Sequence, residues 1–184
     1  MYKSKQELFV VGVGMLEEFA AKNSIKMPGV KFHVYGWRGY YRNGELFINL
    51  KNSMVPGRSK FCYSFPGNTA DITPVGVLAH EFGHYLYDKH LDRKGKQAWD
   101  LLVDEFTKER VTSYEPNNEE KFAESTKLFV TNPSLLLAVA PNRHRFLAAR
   151  FAPTVSGGAV DVLRSRGAYP HIIVAAENKL KLVR

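Results

Sequence analysis

Cysteine is all but missing from this chain. Cys62 is the only one in 184 residues, so an internal disulfide cannot form and a cysteine-ligated metal site is excluded. A reducing compartment suits such a composition. Long apolar runs are missing too. The stretch Leu8 to Leu16 is too short to span a bilayer, is flanked by Glu7, Glu17 and Glu18, and is followed by no small-residue cleavage site. It reads as a buried helix rather than a signal peptide. With no membrane segment, internal repeat or low-complexity tract, the expected location is the cytoplasm. A compact chain without export signal, prodomain or appended module would fit a phage or mobile-element source.

Acidic side chains are scarce towards the C-terminus. From Pro141 to Arg184 eight Lys/Arg face only Asp161 and Glu177, a surplus of six out of a net +8. Such a segment suits a nucleic acid or an acidic protein partner, or is simply a solvated basic face. What the chain has in quantity is core material. Hydrophobic residues make up 45%, far from disordered composition, and the length fits one domain. The expected organisation is a single domain over 1–184, with a sheet-containing part over about 1–92 and a helical part over about 93–184.

Periodicity and punctuation predict an α+β chain. A first helix is expected over about 4–22, ending near Asn23-Ser24. Val30 to Tyr35 alternates as a half-buried strand does. Gly39 to Arg42 and Glu45 to Leu50 flank Asn43-Gly44, a two-residue hairpin signal. Ser59 to Phe65 adds a further strand, making a small, mostly antiparallel sheet. Thr73-Pro74 opens a helix that runs to about His90. Further helices are expected over about 96–110, from Asn117-Asn118 to before Pro133, over 134–139 and over 142–151. A loop-rich stretch follows over 152–167, and a closing helix over 171–181.

The chemistry lies on the helix expected after Thr73. His80 and His84 are four residues apart and therefore neighbours on one helix face, where two imidazoles can bind one tetrahedral zinc ion. Glu81, beside the first, can reach a metal-bound water without ligating the metal. This is the H-E-x-x-H arrangement. Two sources offer a third ligand. His90 has the outer spacing of a three-histidine site, but Tyr87 stands where a chain-turning glycine is needed, and no methionine follows the motif. The alternative is the run Tyr114 to Glu124. Glu120 and Glu124 share a helix face and would repel each other unless a cation lies beside them. A zinc ion and a histidine N–H would satisfy both. Glu119 reads as a solvated helix start.

The motif H-E-F-G-H, followed by E-x-F-A-E over Glu120 to Glu124 and preceded there by Tyr114, resembles the Glu-zincins (gluzincins), the thermolysin-like metallopeptidases. Within them it looks most like the anthrax lethal factor-like peptidase domain. The likeness covers about residues 74–130. It implies a zincin-like fold and a zinc-dependent endopeptidase acting on a protein or peptide. It also implies one zinc ion held by His80, His84 and Glu120, with Glu81 as general base. Glu124 would orient a ligand histidine, and Tyr114 would place a phenol near the reacting carbonyl. His144 and Arg143 are alternative donors to that carbonyl. Phe47-Ile48-Asn49-Leu50 is a candidate edge for an extended substrate. Two other readings compete. Trp37, Gly39-Tyr40 and Ile48-Asn49-Leu50 ahead of the motif also resemble the DNA-associated SprT/Spartan proteases, whose third ligand is a downstream histidine. A non-enzymatic structural or assembly protein that keeps zinc for folding is the other.

Overall fold

A computed structural model of the chain describes residues 4–34, 36–53 and 72–153. The strand expected over 59–65, the closing helix over 171–181 and most of the basic C-terminal segment lie outside these residues. The architecture is α+β, with six helices and a three-stranded sheet among the described residues.

Helix α1 (Lys5–Lys22) begins with a reciprocal cap: Ser4 Oγ accepts from the Glu7 N–H, and the Glu7 carboxylate accepts from the Ser4 N–H. These bonds satisfy two helix N–H groups that would otherwise lack partners. Leu8, Gly12, Leu16, Phe19 and Ala20 form its buried stripe. The sheet comprises β1 (Gly29–Phe32), β2 (Gly39–Arg42) and β3 (Glu45–Ile48). Asn43 and Gly44 both take positive φ, 53° and 80°, so the predicted two-residue turn forms, with Arg42 opposite Glu45. Leu46 and Ile48 are the fully buried positions of β3.

The sheet corrects one expectation. It is mixed, in the order β1-β3-β2, with β1 parallel and β2 antiparallel to β3. The tight hairpin commits one edge of β3 to β2, and β1 takes the other. β3 is thus the central strand, not a peptide-accepting edge, because its backbone groups are already paired on both sides.

Helix α2 (Pro74–His90) starts as its sequence predicts, with Thr73 capping the Gly76 N–H and Pro74 in the first turn. It packs on α1, on β2 and β3, and on α4, so its apolar residues are buried almost all round. Helix α3 (Arg93–Glu105) starts and ends earlier than expected. Asp92 caps it by accepting from the Gly95 N–H, and beyond Phe106 other bonds claim the chain. Glu109 accepts the N–H groups of Asn142 and Arg143 at the start of α6, and Arg110 donates to the Thr112 and Ser113 carbonyls. Helix α4 (Asn118–Thr131) is capped by Asn117 and stops before Pro133; α5 (Pro133–Val139) and α6 (Pro141–Ala148) follow.

The core sits where α1, α2, α4 and α6 meet. Phe19, Phe82, Phe122, Phe129 and Trp99 are fully buried, each phenylalanine contributing about 1.5–3 kcal/mol by leaving water. Phe19 meets Phe82 and Phe129 edge-on, with ring centroids 5.9 and 6.2 Å apart. Because Phe82 belongs to the histidine motif, core packing fixes the rotation of α2 and hence the direction of His80 and His84. No described helix is long and apolar enough to cross a membrane.

Candidate metal centre

Helical spacing brings His80 and His84 together, with Nε2 atoms 3.1 Å apart. A close crossing of α2 and α4 supplies the rest. A Cβ on Gly83 would stand 2.6 Å from the Ala123 Cα and 3.0 Å from its carbonyl oxygen, so only glycine admits α4 at this distance. His80 and His84 lie three residues before and one after Gly83. Glu120 and Glu124 hold the same positions around Ala123. One backbone contact therefore sets two carboxylates against two imidazoles. Gly83→Ala is expected to push α4 away, costing about 1–3 kcal/mol as overpacking does and drawing Glu120 off the imidazoles, so that the site could no longer hold a metal. Urea unfolding and metal analysis of that variant check both; wild-type values for each would refute the close-packing argument.

The hydrogen bonds point each imidazole. His80 Nδ1 lies 2.8 Å from Glu124 Oε1, and His84 Nδ1 lies 3.0 Å from Glu119 Oε1. An ionised carboxylate only accepts, so each Nδ1 carries a proton, and the two Nε2 atoms are turned towards a common point. At that point stands Glu120 Oε2, 3.1 Å from His80 Nε2 and 3.5 Å from His84 Nε2. This oxygen is shielded from solvent and makes no well-angled hydrogen bond. Three donor atoms separated by 3.1, 3.1 and 3.5 Å match one face of a tetrahedron. A zinc ion bound at 2.0–2.1 Å requires edges of about 3.3 Å. While the histidines are charged, their Nε2 protons face this oxygen as ion pairs, and a metal cation would take the place of those protons.

Glu81 faces the same space, and the donor atoms of His80, Glu81 and His84 all lie within 4.8 Å of one another, a group able to hold a metal ion. Glu81 is 7% exposed, and its carboxylate abuts β2, where a Cβ on Gly39 would come within 2.9 Å of Oε1. Burial pushes the Glu81 pKa above the ordinary carboxylate value, although the two histidines pull it down. Burial also opposes charge on His84, but bonds to Glu119 and Glu120 outweigh it and raise that pKa to about 10. His80 is raised in the same way by Glu120 and Glu124.

Glu124 is 1% exposed yet fully satisfied. Besides His80 it accepts from Thr112 Oγ1 at 2.6 Å and from Lys127 Nζ at 2.6 Å. Tyr114, half exposed on the loop before α4, holds its ring 6.0 Å from that of His80. Burial, then the charges of Glu120, Glu81 and Glu124, raise its pKa, so its hydroxyl remains a proton donor at neutral pH.

Several expectations require correction. Glu119 is not a merely solvated helix start, because it holds His84. Arg143 is no surface donor to a substrate carbonyl: at 2% exposure it forms a two-point ion pair with Glu115. His144 stacks edge-on against Phe129, its ring 5.4 Å away. His90 needs no correction: as expected it ends the unbroken helix α2, beside Tyr85 with ring centroids 5.4 Å apart, and six residues of helix turn it away from the His80 face. Sequence reading missed Lys127, Thr112 and Glu115. Lys127 alone carried a usable signal, as a lysine within Phe122 to Val130, otherwise small or apolar after Glu124. No protein-family model, curated protein or solved structure matches the chain.

Proposed function

We propose that this chain is a zinc-dependent endopeptidase in which His80, His84 and Glu120 hold the ion and Glu81 is the general base. The observation that carries the reading is the triangle of two Nε2 atoms and the Glu120 carboxylate oxygen set against them, of the size and donor type that zinc takes. Three protein donors leave a fourth position for water or substrate, the mark of a catalytic rather than a structural site. Bound there, zinc would lower the pKa of a water to about 7 and polarise a carbonyl.

The remaining roles belong to the chain. Glu81, lying against the donor atoms, takes the proton of the attacking water and delivers it to the departing nitrogen. Glu124 and Glu119 keep the protons of His80 and His84 on Nδ1, leaving both Nε2 atoms free to bind. Tyr114 offers its hydroxyl to the oxygen on which negative charge develops. An extended peptide would lie along β2 rather than β3. The register places Tyr40 and Arg42 in the bonded pairs with β3 and leaves the backbone groups of Gly39 and Tyr41 facing outward among the described residues. Gly39 is also the residue against which Glu81 rests.

The test is metal analysis after dialysis against metal-free buffer, followed by a peptide-library assay with and without chelator. About one zinc per chain is expected, with cleavage that chelation removes and zinc restores. Zinc binding should release protons and tighten as pH rises, because it displaces protons from histidines with raised pKa. A chain that takes up no zinc would overturn the reading.

A further inference from the structure

The loop between α3 and α4, from Phe106 to Asn117, contains no helix or strand, yet it delivers two groups to the metal centre. Thr112 is fully buried. Its hydroxyl donates to Glu124 Oε2 at 2.6 Å and accepts from the Tyr114 N–H at 3.2 Å. One oxygen therefore ties the proton partner of His80 to the backbone of Tyr114. Irregular backbone must satisfy its own polar groups, and side chains have to hold its shape. Here Glu115 does so. Its Oε1 accepts from the N–H groups of Val111 and Thr112 at 2.8 and 3.1 Å. The same carboxylate takes both arms of Arg143, Nη1 to Oε1 at 3.1 Å and Nη2 to Oε2 at 3.2 Å. Arg143 comes from α6, and its guanidinium lies 6.0 Å from the Trp99 ring centroid.

A buried ion pair is a weak source of stability, because desolvating two charges offsets most of their attraction. What the planar guanidinium adds is direction: two parallel bonds fix a carboxylate in place and orientation, as a lysine cannot. We propose that the Arg143–Glu115 pair, acting through Thr112, is a positioning device for the metal centre that sets both the orientation of His80 and the place of Tyr114. None of the three residues touches the donor triangle; they act through Glu124 and the loop backbone. The inference rests on the zinc reading above.

The test uses the full chain and measures zinc affinity by chelator competition together with kcat and KM on a cleaved peptide. Thr112→Val removes the shared hydroxyl at similar volume and is expected to weaken zinc binding about 10- to 100-fold and to lower kcat rather than raise KM. Thr112→Ser restores the hydroxyl and should recover both quantities. Arg143→Lys keeps the charge but loses the fork, and should shift them in the direction of Thr112→Val; the double variant should be no worse than Thr112→Val alone, since both act on one path. Should Thr112→Val fail to fold, Arg143→Lys and Thr112→Ser carry the same comparison. Wild-type zinc affinity and kcat in Arg143→Lys and Thr112→Val would overturn the positioning role while leaving the zinc site standing. A wild-type chain that binds no zinc would instead overturn the zinc reading itself, and this inference with it.

Discussion

Glu81→Gln is expected to lower peptide turnover by about 100- to 10,000-fold while zinc content stays at the wild-type level. The substitution keeps the shape of the side chain against β2, where Glu81 Oε1 would be 2.9 Å from a Cβ on Gly39, so the strand has no reason to move. It removes only the capacity to accept a proton. The donor triangle of His80, His84 and Glu120 is closed without Glu81, which is why metal retention and turnover should separate. Steady-state kinetics beside metal analysis makes the comparison. Unchanged turnover would remove Glu81 from the chemistry, and loss of zinc would make it a ligand instead of a base.

Lys127→Met should cost about 3–5 kcal/mol of folding free energy, the usual penalty for removing one partner of a buried pair. Lys127 and Glu124 are each 1% exposed and 2.6 Å apart. Without the ammonium, Glu124 keeps its charge beside only His80 and Thr112, in a site from which water is excluded. For a chain of this size a Tm fall of about 6–20 °C is expected. The metal-free protein gives the cleanest reading, because bound zinc would add stability of its own. Burial disfavours charge on Glu124, but Lys127 and then His80 overcome it and hold its pKa at about 2. A lowered carboxylate pKa gives stability that is fully present above about 4.5 and lost as pH falls towards 2. Lys127→Met removes part of that lowering, so acid unfolding should begin at higher pH than in the wild type. Replacing Glu124 by Leu alongside Lys127→Met should recover part of the lost stability, since no charge is then left unpaired. A loss below about 1 kcal/mol in Lys127→Met would show that the pair is not the compensated charge described here.

The features legible in the sequence are those governed by neighbours a few residues apart. Asn43-Gly44 takes positive φ in both positions whatever surrounds it, so the hairpin could be read directly. Thr73-Pro74 and Asn117 open helices by bonding N–H groups three residues on, and Pro133 ends one by lacking its own. The juxtaposition of His80 and His84 follows from helical pitch alone. Glu120 and Glu124 could be matched to them through a shared face and a likeness of spacing. Glu119 read as a solvated helix start because its place in a first turn accounts for it locally, and its contact with His84, 35 residues away, forms only where the two helices cross.

The misread features depend on elements that meet only in the folded chain. Nothing local makes β1 run parallel to β3, or makes β3 central; the choice rests on which edge the hairpin leaves open. Arg143 could be read as a free donor to a substrate carbonyl because burial of an arginine requires a partner, and Glu115 stands 28 positions away. By itself, then, the sequence determined the elements, their caps, the hairpin and the paired histidines, all products of short-range sterics and hydrogen bonding. The tertiary structure alone decided that Gly83 would meet Ala123, and through that contact which carboxylates reach which imidazoles. Close packing between distant helices responds to the volume of every side chain at the crossing, a property that no local pattern carries.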